Sequence, residues 1–281
     1  MRLGAPAFAK SSDPAELVKA HKELGYTAAY CPGVVLANPN DDALVEAMRR
    51  EFERADIVIA EVGIWRNMMS PDSEEREANI RFAIERLEIA EKIGARCCVN
   101  YAGSRNPEEP AGPHPYDLTR EAFDELVEIV RRIIDEVKPK RTSFTIEMMQ
   151  WSHPDSPDGY LELINAVDRK AFGVHLDPTN LINCPRRYFD TGAVIRECID
   201  KLGAYIKSAH AKDCLMEDRA IVHISEVMPG KGRLDYRTYL TKLAALPQDV
   251  PLMIEHLKTP EEYAEAANYI RGVARECGVK L

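Results

Sequence analysis

The chain has 281 residues, 45% hydrophobic and 30% charged, with 46 acidic against 37 basic side chains and a formal net charge of −9. That length buries a substantial core without disulfides and suits one large domain or two small ones. The acidic balance argues against a nucleic-acid-binding surface, because phosphate affinity comes mainly from Lys and Arg.

Short β-prone runs alternate with longer amphipathic ones along the whole chain. LGAPAF (3–8) precedes DPAELVKAHKELG, where Asp13 is placed as an N-cap, Pro14 as the first helical residue and Gly25 as the stop. TAAYCP (27–32) precedes DDALVEAMRREFERAD, and IVIAEVGIW (57–65) precedes a long helical pattern that Gly94 closes. ARCCVNYAG (95–103) leads through a Pro-rich loop into LTREAFDELVEIVRRIIDEVK. The second half repeats the rhythm: SFTIEMM (143–149), FGVHLD (172–177), AYIKSAHAKD (204–213) and VPLMIEHL (250–257) each lead toward a helical segment. A longer excursion, CLMEDRAIVHISEVMPGKGRLDY, follows the third of these.

Eight strand-then-helix units with near-continuous apolar strands predict a parallel sheet. In this length they favour one closed (β/α)8 barrel over residues 1–281, with an open doubly wound sheet as the competing arrangement. No Gly-rich phosphate fingerprint follows the first strand, so the usual reason for a dinucleotide-binding sheet is missing. The seven cysteines form no C-x-x-C and no framework spacing, which suits a reducing compartment. MRLGAPAFAK lacks the apolar core of a secretory signal, and no run of about twenty apolar residues could span a membrane. A cytoplasmic location is therefore the expectation, with no membrane partner.

In a barrel the chemistry sits at the C-terminal ends of the strands. Four consecutive predicted strands end in a metal-compatible residue: Glu147 in FTIEMM, Asp177 in GVHLDP, His210 in KSAHAKD and Glu255 in LMIEHL. Each interrupts an apolar run, which is costly unless a partner or a metal compensates. Three carboxylates and one imidazole suit a divalent ion of intermediate hardness, with Mn²⁺ first and Mg²⁺, Co²⁺ or Zn²⁺ as alternatives.

Around this set, His175 lies two residues before Asp177 and shares its face in a strand, where it could meet a substrate or a ligand carboxylate; core packing is the bland alternative. Lys212 shares parity with His210 and is expected to point into the pocket, against the alternative of a solvated loop lysine. His153 in MMQWSHP and the rim tryptophan Trp65 complete the substrate-binding candidates, although exposure or packing explains each nearly as well. His223 and Glu226, in the excursion, are candidates for a lid.

With these pieces, the chain resembles the xylose isomerase-like barrel superfamily, in particular the sugar (phosphate) isomerase/epimerase group that includes ketose 3-epimerases and inosose dehydratases. The resemblance is carried by TIEMM, GVHLDPTN, HAKD, PGKGRLDY (229–236) and IEHL. It implies a metal site of Glu147, Asp177, His210 and Glu255, in which Glu147 and Glu255 also exchange protons with the substrate. Ketose 3-epimerases place a substrate-binding histidine three residues after the metal aspartate; here that position is Asn180.

The expectation is a divalent-metal-dependent carbohydrate isomerase or epimerase working through an enediolate, with Glu147 and Glu255 transferring the proton. The alternative is a metal-dependent lyase or dehydratase acting on an inosose or 3-keto sugar. The partner expected is a small-molecule carbohydrate, with homo-oligomerisation left open. A DNA-repair endonuclease on the same fold would need more strand-end histidines than this chain supplies, and its charge repels DNA.

Overall fold

Runs of Val, Ile, Ala and Cys only three to six residues long, buried on both faces, cannot satisfy their backbone alone and so pair in parallel. The computed structural model describes residues 1–281. Its strands are β1 (Arg2–Gly4), β2 (Ala28–Tyr30), β3 (Val58–Gly63), β4 (Cys97–Asn100), β5 (Ser143–Glu147), β6 (Phe172–Leu176), β7 (Ile206–Ala211), β8 (Asp213–Met216), β9 (Ile224–Val227) and β10 (Pro251–Ile254). Eight of them close into a parallel barrel in the order β1-β2-β3-β4-β5-β6-β7-β10, and β10 returns to β1 through Leu3↔Leu252. The (β/α)8 barrel expected from the element order is the observed fold.

Local signals place the helices as read. Asp13 accepts the N–H of Ala15 at the start of Pro14–Glu23, and Gly94, at φ 74°, ends Ser73–Ile93 in the left-handed conformation that favours glycine. The first strand is shorter than the 3–8 expected, since Pro6 has no N–H to give a ladder. The run 57–65 also stops early, at Gly63. Trp65 then turns at φ 52°, and its indole folds back over Gly63, where a Cβ would collide with it.

The excursion after β7 holds a structure that periodicity did not disclose: β8 and β9 form an antiparallel two-stranded ribbon outside the barrel. Asp213 fixes its base by accepting the N–H groups of Cys214, Gly230, Gly232 and Leu234 at 2.7–3.1 Å. Gly232 has to be glycine, because a Cβ there would run into the Cys214 carbonyl and the Asp213 carboxylate.

Strand positions near the future site are held by tyrosine hydroxyls from outside the barrel strands that they clasp. The Tyr160 hydroxyl lies 2.6 Å from the Ile146 carbonyl and 2.9 Å from that of Gly173, its one proton shared between them, and ties β5 to β6. Tyr239 bonds the His210 carbonyl at 2.9 Å, Tyr236 that of Lys212 at 2.7 Å, and Tyr30 that of Ile254 at 3.1 Å. Apart from the one to Gly173, near the start of β6, each bond falls on, or next to, a strand end that carries an ionisable side chain. Tyr160→Phe removes a fully buried hydroxyl that also accepts the N–H of Ile146. It should cost about 1–3 kcal/mol and lower the midpoint of thermal unfolding, read by circular dichroism. An unchanged midpoint would mean the clasp contributes nothing to strand placement.

Candidate functional site

The ends of β5, β6, β7 and β10 lie side by side and bring Glu147, Asp177, His210 and Glu255 together. One ligand atom from each lies within 4.8 Å of all the others. Asp177 and His210 are fully buried, and Glu147 and Glu255 nearly so. His210 Nδ1 is 2.7 Å from Glu255 Oε1 and 3.3 Å from Glu147 Oε1. Lys212 Nζ is 2.9 Å from Asp177 Oδ2 and 2.7 Å from Glu255 Oε1. Yet Asp177 Oδ2 and Glu255 Oε1 have no aligned hydrogen-bond partner. Contacts this short without hydrogen-bond alignment converge on a shared space. Orphaned oxygens around such a space fit a divalent cation, and the mixed O/N donor set fits it too.

Beneath them lies a residue the strand-end reading overlooked. Glu61, on β3 across the barrel, is buried with its Oε1 3.4 Å from His210 Nε2 and its Oε2 2.9 Å from His175 Nε2. The two imidazoles pack edge to face with centroids 4.0 Å apart. His210 therefore presents Nδ1 to the ligand cluster and Nε2 to a carboxylate, the arrangement by which outer partners orient a metal-binding histidine. The cue was present in IVIAEVGIW, an acid inside an apolar run, but it falls in mid-strand.

Electrostatics follow from this crowding. Burial pushes Glu61 upward, but the two imidazoles outweigh it and hold the carboxyl at about 2. Burial likewise opposes ionisation of Glu147 and Glu255, while Lys212 and His210 bring both below the ordinary range. Asp177 is the exception, raised by burial more than Lys212 lowers it. His210 is penalised by burial and still raised well above its usual value by Glu255, Glu61 and Glu147. Metal ligation requires this imidazole neutral, so ion binding and its proton compete.

A cavity of about 630 Å³ opens above the cluster, within the range of small-molecule sites. Glu147, Glu255 and Lys212 reach it from the barrel, Trp65, Tyr30, Tyr101 and Tyr263 wall it, and Glu226 of the ribbon overhangs it. Glu226 is tied to His256 at 3.0 Å, so the ribbon is pinned over the mouth. Trp65 and His256 both have positive φ, 52° and 59°, a strained backbone kept at two neighbouring points of the rim.

The sequence-predicted residues divide accordingly. Lys212 and Trp65 line the cavity, and Lys212 is only 4% exposed, so it is no solvated loop lysine. His175 faces the barrel interior one layer below Asp177, but its buried ring meets Glu61 and does not line the cavity. His153 does not line it either: its Nε2 bonds the Thr119 carbonyl at 3.1 Å and its ring packs on Phe123. Asn180 donates to Glu147 Oε1 at 3.0 Å; of the two excursion residues, Glu226 lines the cavity and His223 lies beside Glu217.

The chain belongs to the xylose isomerase-like TIM barrel family, whose model matches residues 18–273. No curated protein matches it in sequence. Among solved structures it is similar to D-psicose 3-epimerase from Clostridium cellulolyticum, at 16% identity, with a TM-score of 0.72 and 100% of each chain covered. It is similar to endonuclease IV from Thermus thermophilus at 16% identity and a TM-score of 0.71, covering 98% of this chain and 100% of that one. A "probable 3-DHS dehydratase AsbF" from Bacillus anthracis gives 14% identity and a TM-score of 0.71, over 97% and 98% of the two chains. At these identities the likeness is one of fold, and the three names span three chemistries.

Titration of the metal-free protein with Mn²⁺ or Mg²⁺ by calorimetry separates the layers of the site. Asp177→Ala should abolish binding. Glu61→Gln, which keeps the shape and removes the charge behind His210, should weaken it about 10–100-fold. Affinity within twofold of the parent would show that Glu61 does not act on the site.

Proposed function

We propose that this barrel is a divalent-metal-dependent carbohydrate isomerase or epimerase. The observation that carries the reading is that two glutamates from separate strands, Glu147 and Glu255, belong to the candidate ligand set and also line the cavity. Bound there, a divalent ion would polarise a substrate carbonyl and acidify the neighbouring C–H.

The chain's own groups account for the remaining needs. Glu147 and Glu255 are both held ionised, so either can accept a proton from carbon on its side of the substrate, and the other can return one. Asn180 orients Glu147 through its bond to Oε1, leaving the second oxygen as the proton-accepting atom. Lys212 Nζ adds a fixed positive charge where oxygen becomes negative during enolisation. Trp65 and the cavity tyrosines offer apolar faces for sugar C–H groups and exclude water.

A second reading, elimination on an inosose or 3-keto sugar, uses the same proton abstraction and then expels a β-substituent. The buried ammonium of Lys212 favours it, as it can stabilise a departing oxygen. The acidic rim disfavours a nuclease, because Glu147, Glu226 and Glu255 face the space a DNA phosphate would enter.

Incubating the metal-loaded protein with ketoses, inososes and 3-keto sugars in D₂O distinguishes these outcomes by mass. Isomerisation or epimerisation gives product of the same formula carrying one solvent deuterium, whereas elimination loses water or an alcohol. Glu255→Gln should keep the fold and lose far more than tenfold in kcat, since an amide cannot shuttle protons. Activity within about tenfold, roughly 1.4 kcal/mol of barrier, would remove Glu255 from the proton path.

A further inference from the structure

The cavity does not end above the four candidate ligands. Gln150, Asn180 and Glu226 line both the main cavity and an adjoining groove of about 280 Å³, bounded by the loops after β5 and β6 and by the β8–β9 ribbon. Trp151, Thr179, Asn183 and Ser225 continue its wall, and Glu226 at the junction is its one charged residue. Two polar atoms here, Gln150 Oε1 and Thr179 Oγ1, are buried with no hydrogen-bond partner. Both atoms lie below the groove surface, whereas the amide of Asn183 is exposed on the groove wall with no protein partner and is free to bond a ligand.

The charges define which ligand that is. Lys212 is already in contact with Asp177 and Glu255, and His256 with Glu226, while three glutamates line the main cavity. In the groove, a phosphate or carboxylate would meet the Glu226 carboxylate and no cation. Amides and hydroxyls, which both donate and accept, match a neutral polyol, and an indole supplies the flat apolar face that a pyranose ring presents to. Trp151 has already given its Nε1–H to the Ala111 carbonyl at 2.6 Å, leaving the ring as its contribution. A larger hollow on the opposite flank, about 460 Å³, shares only Pro6 and Tyr30 with the cavity. Its lining mixes Phe8, Leu17, Cys31 and Val34 with Lys10, Ser11 and His21 and includes no indole face.

We propose that the groove is a second sugar subsite, and that the substrate is an uncharged disaccharide or glycoside. Its reacting ring lies over Glu147 and Glu255, and its second ring lies between Trp151 and the ribbon. This rests on the carbohydrate reading of the main cavity.

The chain has two tryptophans, and one lies in each compartment. Trp65 fluorescence is read in Trp151→Phe and Trp151 fluorescence in Trp65→Phe, with D-hexoses, the matching hexose phosphates and hexose disaccharides as probes. Hexoses should perturb Trp65 alone. Disaccharides should perturb both and bind at least tenfold more tightly, and phosphates should bind more weakly than their parent sugars. Asn183→Phe, at an exposed position whose side chain makes no hydrogen bond, should cancel the disaccharide advantage and spare hexose binding. Disaccharides that perturb Trp65 alone, or gain nothing over hexoses, would overturn the subsite while leaving the carbohydrate reading standing. No response from either tryptophan to any sugar would overturn both.

Discussion

The structure turns on one buried imidazole held between carboxylates. His210 has Glu61 below it and Glu147 and Glu255 above it, all within 3.4 Å, and Asp177 completes the group. Four carboxylates share this space with a single ammonium, that of Lys212, which leaves three uncompensated negative charges if both histidines are neutral. Such a concentration is tolerated in an apolar barrel only with positive charge in its midst. A proton on His210 supplies some of it, and a divalent ion would supply more. The raised His210 expresses that imbalance, while the two imidazoles hold Glu61 low against its burial.

A barrel is suited to holding the four candidate ligands because each enters from a separate strand end, and the register of neighbouring strands sets their heights. His175 pairs in register with Glu147 and lies a layer below Asp177, so the polar groups stack in depth and do not crowd one plane. The tyrosine clasps on Ile146, Gly173, His210, Lys212 and Ile254 then fix the strand ends by backbone bonds, independent of the side chains that do the chemistry.

The barrel and its four rim residues were legible because both depend on patterns a linear sequence retains: strand–helix alternation and ionisable groups at the ends of apolar runs. Glu61 was not read, since it acts across the barrel and its partners His175 and His210 lie more than a hundred residues away. The ribbon of β8 and β9 was hidden because its strands are short, its residues mostly half-exposed, and its anchor is Asp213 accepting four backbone N–H groups. Loop position puts His153 on the face of the barrel that holds the site, but Thr119 and Phe123 draw its ring away from the cavity, and those contacts leave no trace in the linear pattern.

The central claim is that these four residues converge on one cation. A crystal of the protein soaked in Mn²⁺ and measured at the manganese absorption edge tests it directly. One strong anomalous peak is expected within coordination distance of Glu147, Asp177, His210 Nδ1 and Glu255. A fully soaked crystal with no peak at the cluster, or with manganese bound only elsewhere, would contradict it.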